Sequence, residues 1–375
     1  MTKMLKRSPH FAQHLKHDPK GTFDFAGWEM PTHFTSLEEE IRACRSAAIL
    51  IDGHAMGELH VRGKAALEAV QKVCANDLAR AQPGQCVYTS LCKPDGGILD
   101  DLVAFCISPE HWLLTVAAFN TWKTPGWIEE HIRGLNAWTC DQSAGTTCLE
   151  VQGPRAREIL ARVADFDVSD KALPYFRFVR GKVAGIEALV ARLGVTGELG
   201  YEIFYDPGYA YQMYDALLDA GRPSGMALCG NRSLGIMRLE KVYHVYTRDI
   251  DEATNPLEAG LERAVKLDKG DFIGRDALLA AKRKGVARKL VGLIGEPGTA
   301  VAPPKSEVLH AGRKVGHVTF MAASPTLGKP IALAYVASEL SVIGTALTVA
   351  AQGGNIELQV ARTPFYDPDG ARIRV

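Results

Sequence analysis

Two adjacent aspartates, Asp100 and Asp101, are the side chains of this chain best placed for acid–base chemistry. They follow a turn in Asp95-Gly-Gly-Ile-Leu-Asp-Asp-Leu-Val103. Asp95-Gly96-Gly97 signals a tight turn, because glycine adopts the positive φ that such turns need. The flanks, Cys86-Val-Tyr-Thr-Ser-Leu-Cys92 and Ile98 to Cys106, are rich in β-branched and apolar residues, which predicts a hairpin. On its second strand Leu99, Asp101, Val103 and Phe105 share one side, and Ile98, Asp100, Leu102, Ala104 and Cys106 the other. Each side is apolar except for one carboxylate. A carboxylate against a core is costly unless it has a partner or a task. The alternative is that both aspartates lie close to the turn and are merely solvated.

Three further groups could carry chemistry. Thr196-Gly-Glu-Leu-Gly200 sets two glycines around a carboxylate, between the predicted strands 185–195 and 201–204. Arg232 falls in the first turn of a predicted helix opening at Cys229-Gly-Asn-Arg-Ser. A cation there opposes the helix dipole, so either a bound anion or a salt bridge to an acid such as Glu202 or Glu258 must account for it. His10, His14 and His17 could line one helix face and suggest a metal, but no Cys or carboxylate cluster accompanies them. A solvated N-terminal helix or arm is the plainer expectation.

These residues must be positioned by mixed secondary structure. Ser36 and Glu39 form a capping box for a helix over 36–48. Residues 48–52 predict a buried segment, and Gly57 to Gly63 an exposed strand. A helix over 64–75 should turn Ala65, Leu67, Val70 and Val73 inward. Strands are expected at 112–117 and 149–152, with helices at 122–132, 155–164 and 209–218. No βαβ rhythm recurs, so the fold class is α+β rather than a doubly wound sheet. After a basic helix over 277–289, short strands separated by turn residues predict a small β-barrel or sandwich. The expected organisation is a region spanning 1–280 and a β-domain spanning 281–375.

The bulk composition narrows the function. The 375 residues are 47% hydrophobic and 23% charged, with 43 basic and 43 acidic side chains. That balance gives no field to attract nucleic acid or an anionic membrane. No apolar run is long enough to cross a bilayer, and the N-terminus lacks a signal core, so a cytoplasmic location is expected. The eight cysteines show no CxxC spacing and suggest buried reduced thiols. Dinucleotide, P-loop, zinc-protease and serine-hydrolase motifs are all absent.

The ordered set of short motifs resembles the T-protein of the glycine cleavage system and the folate-dependent one-carbon transferases around it. The motifs are Phe25-Ala-Gly-Trp-Glu-Met-Pro31, Ala75-Asn-Asp77, Val87-Tyr-Thr-Ser90, Gly96-Gly-Ile-Leu-Asp-Asp-Leu102, Val151-Gln-Gly-Pro154, Val195-Thr-Gly-Glu-Leu-Gly-Tyr-Glu202, Arg238-Leu-Glu240, Asn255-Pro256, Asp271-Phe-Ile-Gly-Arg-Asp-Ala-Leu278 and Ser324-Pro-Thr-Leu-Gly328. The resemblance implies two interleaved α+β subdomains that bind folate, plus a C-terminal β-barrel. It implies tetrahydrofolate as co-substrate and no metal. It puts the family's essential aspartate on Asp101, the pterin-binding glutamate on Glu202, a folate-contacting arginine on Arg232, an aromatic beside the pterin on Tyr88, and a C-terminal contact on Tyr366.

Two stretches depart from the family pattern. Asp52-Gly-His-Ala-Met-Gly-Glu58 stands where T-proteins carry Asp-Val-Ser-His-Met-Gly-Glu. Lys241-Val-Tyr-His-Val-Tyr-Thr-Arg248 replaces a run of small residues and Leu-Tyr-Gly. His54, Tyr243 and His244 are therefore candidate substrate contacts, the alternative being ordinary packing. The implied activity is aminomethyl transfer from a lipoylated carrier protein to tetrahydrofolate. The alternatives are tetrahydrofolate-dependent demethylation of a small methylated amine, sulfonium or aryl ether, and non-catalytic folate binding.

Overall fold

The computed structural model describes residues 4–351 and 354–375. Two antiparallel-dominated sheets and a barrel carry the chain. The first sheet has five strands in the order Cys86–Cys92, Ile98–Ser108, His111–Val116, Gly57–Arg62 and Trp138–Asp141. The second has six, in the order Phe178–Val183, Ile186–Ala191, Gly200–Tyr205, Thr147–Gln152, Ala48–Asp52 and Met226–Leu228. The chain enters the second sheet at Ala48–Asp52, builds the whole first sheet, and then returns at Thr147–Gln152 to pair beside the strand it left. That route interleaves the two α+β subdomains. Within these two sheets Met226–Leu228 alone pairs in parallel, against Ala48 to Leu50.

Each sheet has an outer face covered by helices. Helices Ala66–Val73 and Thr124–His131 cover the first, burying Leu59, Val61, Leu102, Ala104 and Leu114. Helices Ala156–Ala161 and Ala210–Gly221 cover the second, burying Leu50, Val151, Val190, Ile203 and Tyr214. The inner faces meet each other through Phe105, Leu113, Cys148, Leu189 and Phe204. Helix Asn231–Lys241 packs on helix Leu37–Ser46 and joins the second sheet to the barrel through Ile49, Ile51, Met237 and Leu333. The barrel closes through six strands, Arg288–Ile294, Lys329–Ala337, Arg313–Ser324, Glu307–His310, Ala346–Ala351 and Gly354–Ala361.

Several local expectations change. Gly57–Arg62 is a strand but not an exposed one: Leu59 is 1% and Val61 0% exposed, because helices cover one side and the second sheet the other. In the helix that follows, Ala66, Ala69, Val70 and Val73 turn inward and Leu67 lies at the margin, since Ala65 caps the helix instead of opening it. Ser36 accepts the N–H of Glu39 at 3.2 Å, as its capping role requires. The helix at Asn231 has no side-chain cap of its own. Glu40 from the neighbouring helix accepts the Gly230 N–H at 3.0 Å and the Ser233 hydroxyl at 2.5 Å instead. Strand Phe178–Val183 was not anticipated. It joins Ile186–Ala191 through Ala184 and Gly185 at φ 51° and 79°, the left-handed pair of a tight hairpin turn.

Candidate active site

The Asp95 to Gly97 turn forms as its composition requires, with Gly96 at φ 86° and the Gly97 N–H donating to Asp95 at 3.0 Å. Strand Ile98–Ser108 then runs up the centre of the first sheet, and its alternation sends the two aspartates to opposite faces. Asp100 points into the helix-covered core and is fully buried. It accepts from Asn120 Nδ2 at 2.9 Å, Thr124 Oγ1 at 2.7 Å and the Asp101 N–H at 2.9 Å. Neither aspartate is a solvated turn residue.

Asp101 points to the inner face, toward the second sheet. Its Oδ2 accepts the Tyr88 hydroxyl at 2.8 Å from the adjacent strand. Burial pushes the Asp101 carboxyl up to about 6, opposed by that hydrogen bond. Burial and the neighbouring Asp101 push Asp100 up to about 7. Burial and Asp101 together hold the Tyr88 phenol well above its usual range, so it stays a donor. The pair is a carboxylate with an aimed proton donor on a rigid strand.

The facing wall comes from strands Thr147–Gln152 and Gly200–Tyr205. Glu202 and Glu150 are cross-strand partners on it. Burial and Glu150 hold the Glu202 carboxyl well above the usual carboxylate range. The rim is aromatic: Tyr175 and Tyr243 lie beside each other, and Tyr175 lies within the field of Glu202. Phe119, which packs with Tyr88, meets Phe25 edge-on at 5.2 Å.

The other candidates lie outside this gap or at its edge. Arg232 is exposed in its first helical turn and makes no ion pair among the described residues, and Glu258 pairs with Arg288 instead. The salt-bridge alternative for Arg232 is therefore not realised. Tyr366 donates to Glu198 at 2.6 Å under the Arg45 guanidinium, 4.0 Å from its ring. That places it in a network with Glu240, Ser324 and Arg372 that ties the barrel to the second sheet. His244 Nε2 hydrogen-bonds the Ala259 carbonyl at 2.9 Å and is a packed residue. His54 is buried against the Trp28 ring at 4.6 Å, beside the strand that carries Glu150.

The N-terminal histidines are not a solvated face. His10 and His14 are 0% and 3% exposed and close on Asp52 at 3.0 and 3.3 Å. Ser8 adds a hydrogen bond to Asp52 at 2.6 Å. Their partner lies far along the sequence, so spacing alone could not reveal it. Among the described residues no group of three His, Cys, Asp or Glu side chains is arranged to hold a metal. Glu150, Gln152, Glu58 and Tyr175 were missed from the sequence. The signal for Glu150 was present: it is a lone carboxylate in the apolar strand Cys148-Leu-Glu-Val-Gln152, the same pattern that singled out Asp100 and Asp101.

Comparison with known proteins identifies the family. The GCVT N-terminal domain family matches residues 11–269, and the glycine cleavage T-protein C-terminal barrel domain family matches 288–367. The aminomethyltransferase of Thermotoga petrophila is 41% identical over 96% of this chain and 98% of its own length. That of Bacillus subtilis is 39% identical over 97% and 99%. The crystal structure of the glycine cleavage system aminomethyltransferase T from Bartonella henselae superposes with a TM-score of 0.89 at 28% identity, covering 97% of this chain and 99% of that one. The chain thus belongs to the glycine cleavage T-protein family and is a folate-dependent aminomethyl-transferring enzyme.

Proposed function

We propose that this enzyme moves the aminomethyl carbon of a lipoylated carrier protein to tetrahydrofolate, giving methylenetetrahydrofolate and releasing ammonia. The observation that carries the reading is the Asp101–Tyr88 pair on the inner face of one sheet and Glu202 on the inner face of the other, the two faces meeting through Phe105, Cys148 and Phe204. A pterin presents adjacent N–H donors on its amide edge, and the Glu202 carboxylate accepts them side by side. That contact also draws a proton off Glu202, whose burial otherwise keeps it neutral.

The reacting nitrogen, N5, then lies toward Asp101. With its pKa near 6, Asp101 is mostly ionised at neutral pH and can take the N5 proton or stabilise positive charge there. The Tyr88 hydrogen bond fixes its orientation. The aromatic rim of Tyr175 and Tyr243 excludes water from the reacting atoms. Arg232, exposed on the far side of its helix, is assigned to the anionic glutamate tail of folate. Tyr366 acts through Glu198 and Arg45, holding the barrel against the folate wall. His54 and His244 pack rather than bind, and Tyr243 is the substrate-side residue of the three. Eight free cysteines, all but Cys140 buried, suit a reducing compartment, and we assign the enzyme to the cytoplasm.

The test supplies purified enzyme with an aminomethylated lipoyl carrier and tetrahydrofolate under argon. Methylenetetrahydrofolate and ammonia should form together in equal amounts. Formation of 5-methyltetrahydrofolate from a small methylated amine, with no reaction of the carrier, would replace this reading with demethylation.

A further inference from the structure

Besides Asp101, three carboxyl groups at the inner faces of the two sheets have no counter-charge among the described residues. Glu150 and Glu202 are cross-strand neighbours on the second sheet. Glu58 sits opposite Thr115 on the first sheet, and Thr115 opposite Val103, so it shares the face that carries Asp101. It is 1% exposed, and neither of its oxygens has a hydrogen-bond partner. The Cys148 thiol lies among all three, pushed up by burial and then by Glu150, Glu202 and Glu58. His54, next to Gly53 at this wall, is 8% exposed with Nδ1 unpartnered.

Asp100 and Glu40 are satisfied by several neutral donors each, and four further buried acids have basic partners. Asp52 has Ser8, His10 and His14. Glu198 has Arg45 and Arg372, and Glu240 has Arg45 and two hydroxyls. Asp249 has Arg238. Leaving three uncompensated is costly unless a ligand supplies the charge. One is accounted for: Glu202 takes the N–H edge of the pterin.

Glu150 is aimed as deliberately as Asp101. Its Oε2 accepts Nε2 of Gln152. The Gln152 amide is itself oriented by three donors on its oxygen: the Val195 and Thr196 N–H groups, both at 3.1 Å, and the Thr196 hydroxyl at 2.7 Å. The Thr196-Gly-Glu loop thus dictates which way the carboxyl faces. Its other oxygen packs against Gly53, where a Cβ would come within 2.9 Å, so only glycine fits beside it and the carboxyl is held from both sides.

We infer that Glu150 receives the protonated amine of the one-carbon donor, an ammonium-type cation held beside the pterin, and so makes this site select cationic donors. The inference rests on the aminomethyl-transfer reading and names the residue that recognises the nitrogen. The donor carbon's bonds to nitrogen and sulfur break as its bonds to N5 and N10 form. The N5 proton taken by Asp101 passes to the departing ammonia and the N10 proton to the carrier sulfur, so ammonium leaves paired with the Glu150 carboxylate.

The probe is methylammonium chloride, titrated calorimetrically into the full chain saturated with tetrahydrofolate, against sodium chloride at equal ionic strength. Wild type should bind it. Glu150→Gln should bind about tenfold or more weakly, the loss expected for a charge-assisted hydrogen bond, while its tetrahydrofolate affinity stays within about threefold. Glu150→Asp should recover part of the binding, which separates charge from folding. In the reverse direction Glu150→Gln should raise the KM for ammonium by a similar factor and leave kcat nearly unchanged. Equal methylammonium binding by wild type and Glu150→Gln overturns the inference. So does a wild type that binds tetrahydrofolate but not methylammonium, or a Glu150→Gln variant whose tetrahydrofolate affinity falls as far as its methylammonium affinity. Methylammonium binding without tetrahydrofolate binding would keep the cation site and discard the folate reading.

Discussion

Asp100 accepts the backbone N–H of Asp101 on its own Oδ1, at 2.9 Å. The same carboxyl group ties in Asn120 and Thr124, from the segment whose Phe119 packs with Tyr88. The buried aspartate therefore holds, from behind, both the strand that carries Asp101 and the neighbourhood of its proton donor. In the proposed mechanism Asp100 is a positioning residue and Asp101 is the one that faces the ligand.

Replacing Asp101 by Asn keeps the shape and an acceptor for Tyr88 but removes the base. Turnover should fall by roughly 10²–10⁴-fold while tetrahydrofolate binding changes little. Calorimetry beside steady-state kinetics checks this. Unchanged turnover would remove Asp101 from the chemistry.

The pH profile should report the same group. Because Asp101 sits at about 6 and must be ionised, kcat/KM should rise with pH through that region. The Tyr88 hydrogen bond favours the carboxylate, so Tyr88→Phe should move the acid limb upward. A limb that stays where it was would show that another group titrates.

Asp100 gives a stability signature. Its folded value, about 7, lies above its ordinary value of 3.8. The folded state thus keeps a proton that the unfolded chain releases. Its stabilising contribution is complete below the unfolded value and is lost as pH rises through about 7. Asp100→Asn cannot titrate, so its thermal midpoint should decline less between acid and neutral pH than that of wild type. Parallel declines in differential scanning calorimetry would count against the assignment.

Glu202→Gln should act on binding more than on chemistry. A hydrogen bond to a charged group is worth about 1.5–3 kcal/mol, so tetrahydrofolate affinity should drop roughly tenfold to a hundredfold. The kcat at saturating folate should change by a smaller factor. A large kcat loss with unaltered affinity would move Glu202 from pterin recognition to catalysis.

Arg45 tests the joint between barrel and sheet. It pairs with Glu198 at 3.1 Å and with Glu240 at 2.5 Å, and both acids are buried. Arg45→Ala leaves those acids short of a partner and should cost about 3–5 kcal/mol. Chemical denaturation measures it. A cost below 1 kcal/mol would mean the network is exposed in solution.

What could be read from the chain alone was whatever depends on local alternation and turn chemistry. The hairpin, the division of its two aspartates between opposite faces, the α+β class and the closing run of barrel strands follow from periods and from glycines at positive φ. The ordered motifs added the family, and put forward Asp101, Tyr88 and Glu202 as its site. Tertiary structure decided everything that needs partners distant in sequence. His10 and His14 became buried partners of Asp52 because that strand end folds against them. Gly57–Arg62 became buried because a second sheet covers it. Glu150 became the neighbour of Glu202 only when strands 147–152 and 200–205 paired. Alternation tells which way a side chain points along its own strand; which charge stands opposite it is set by how the sheets pack.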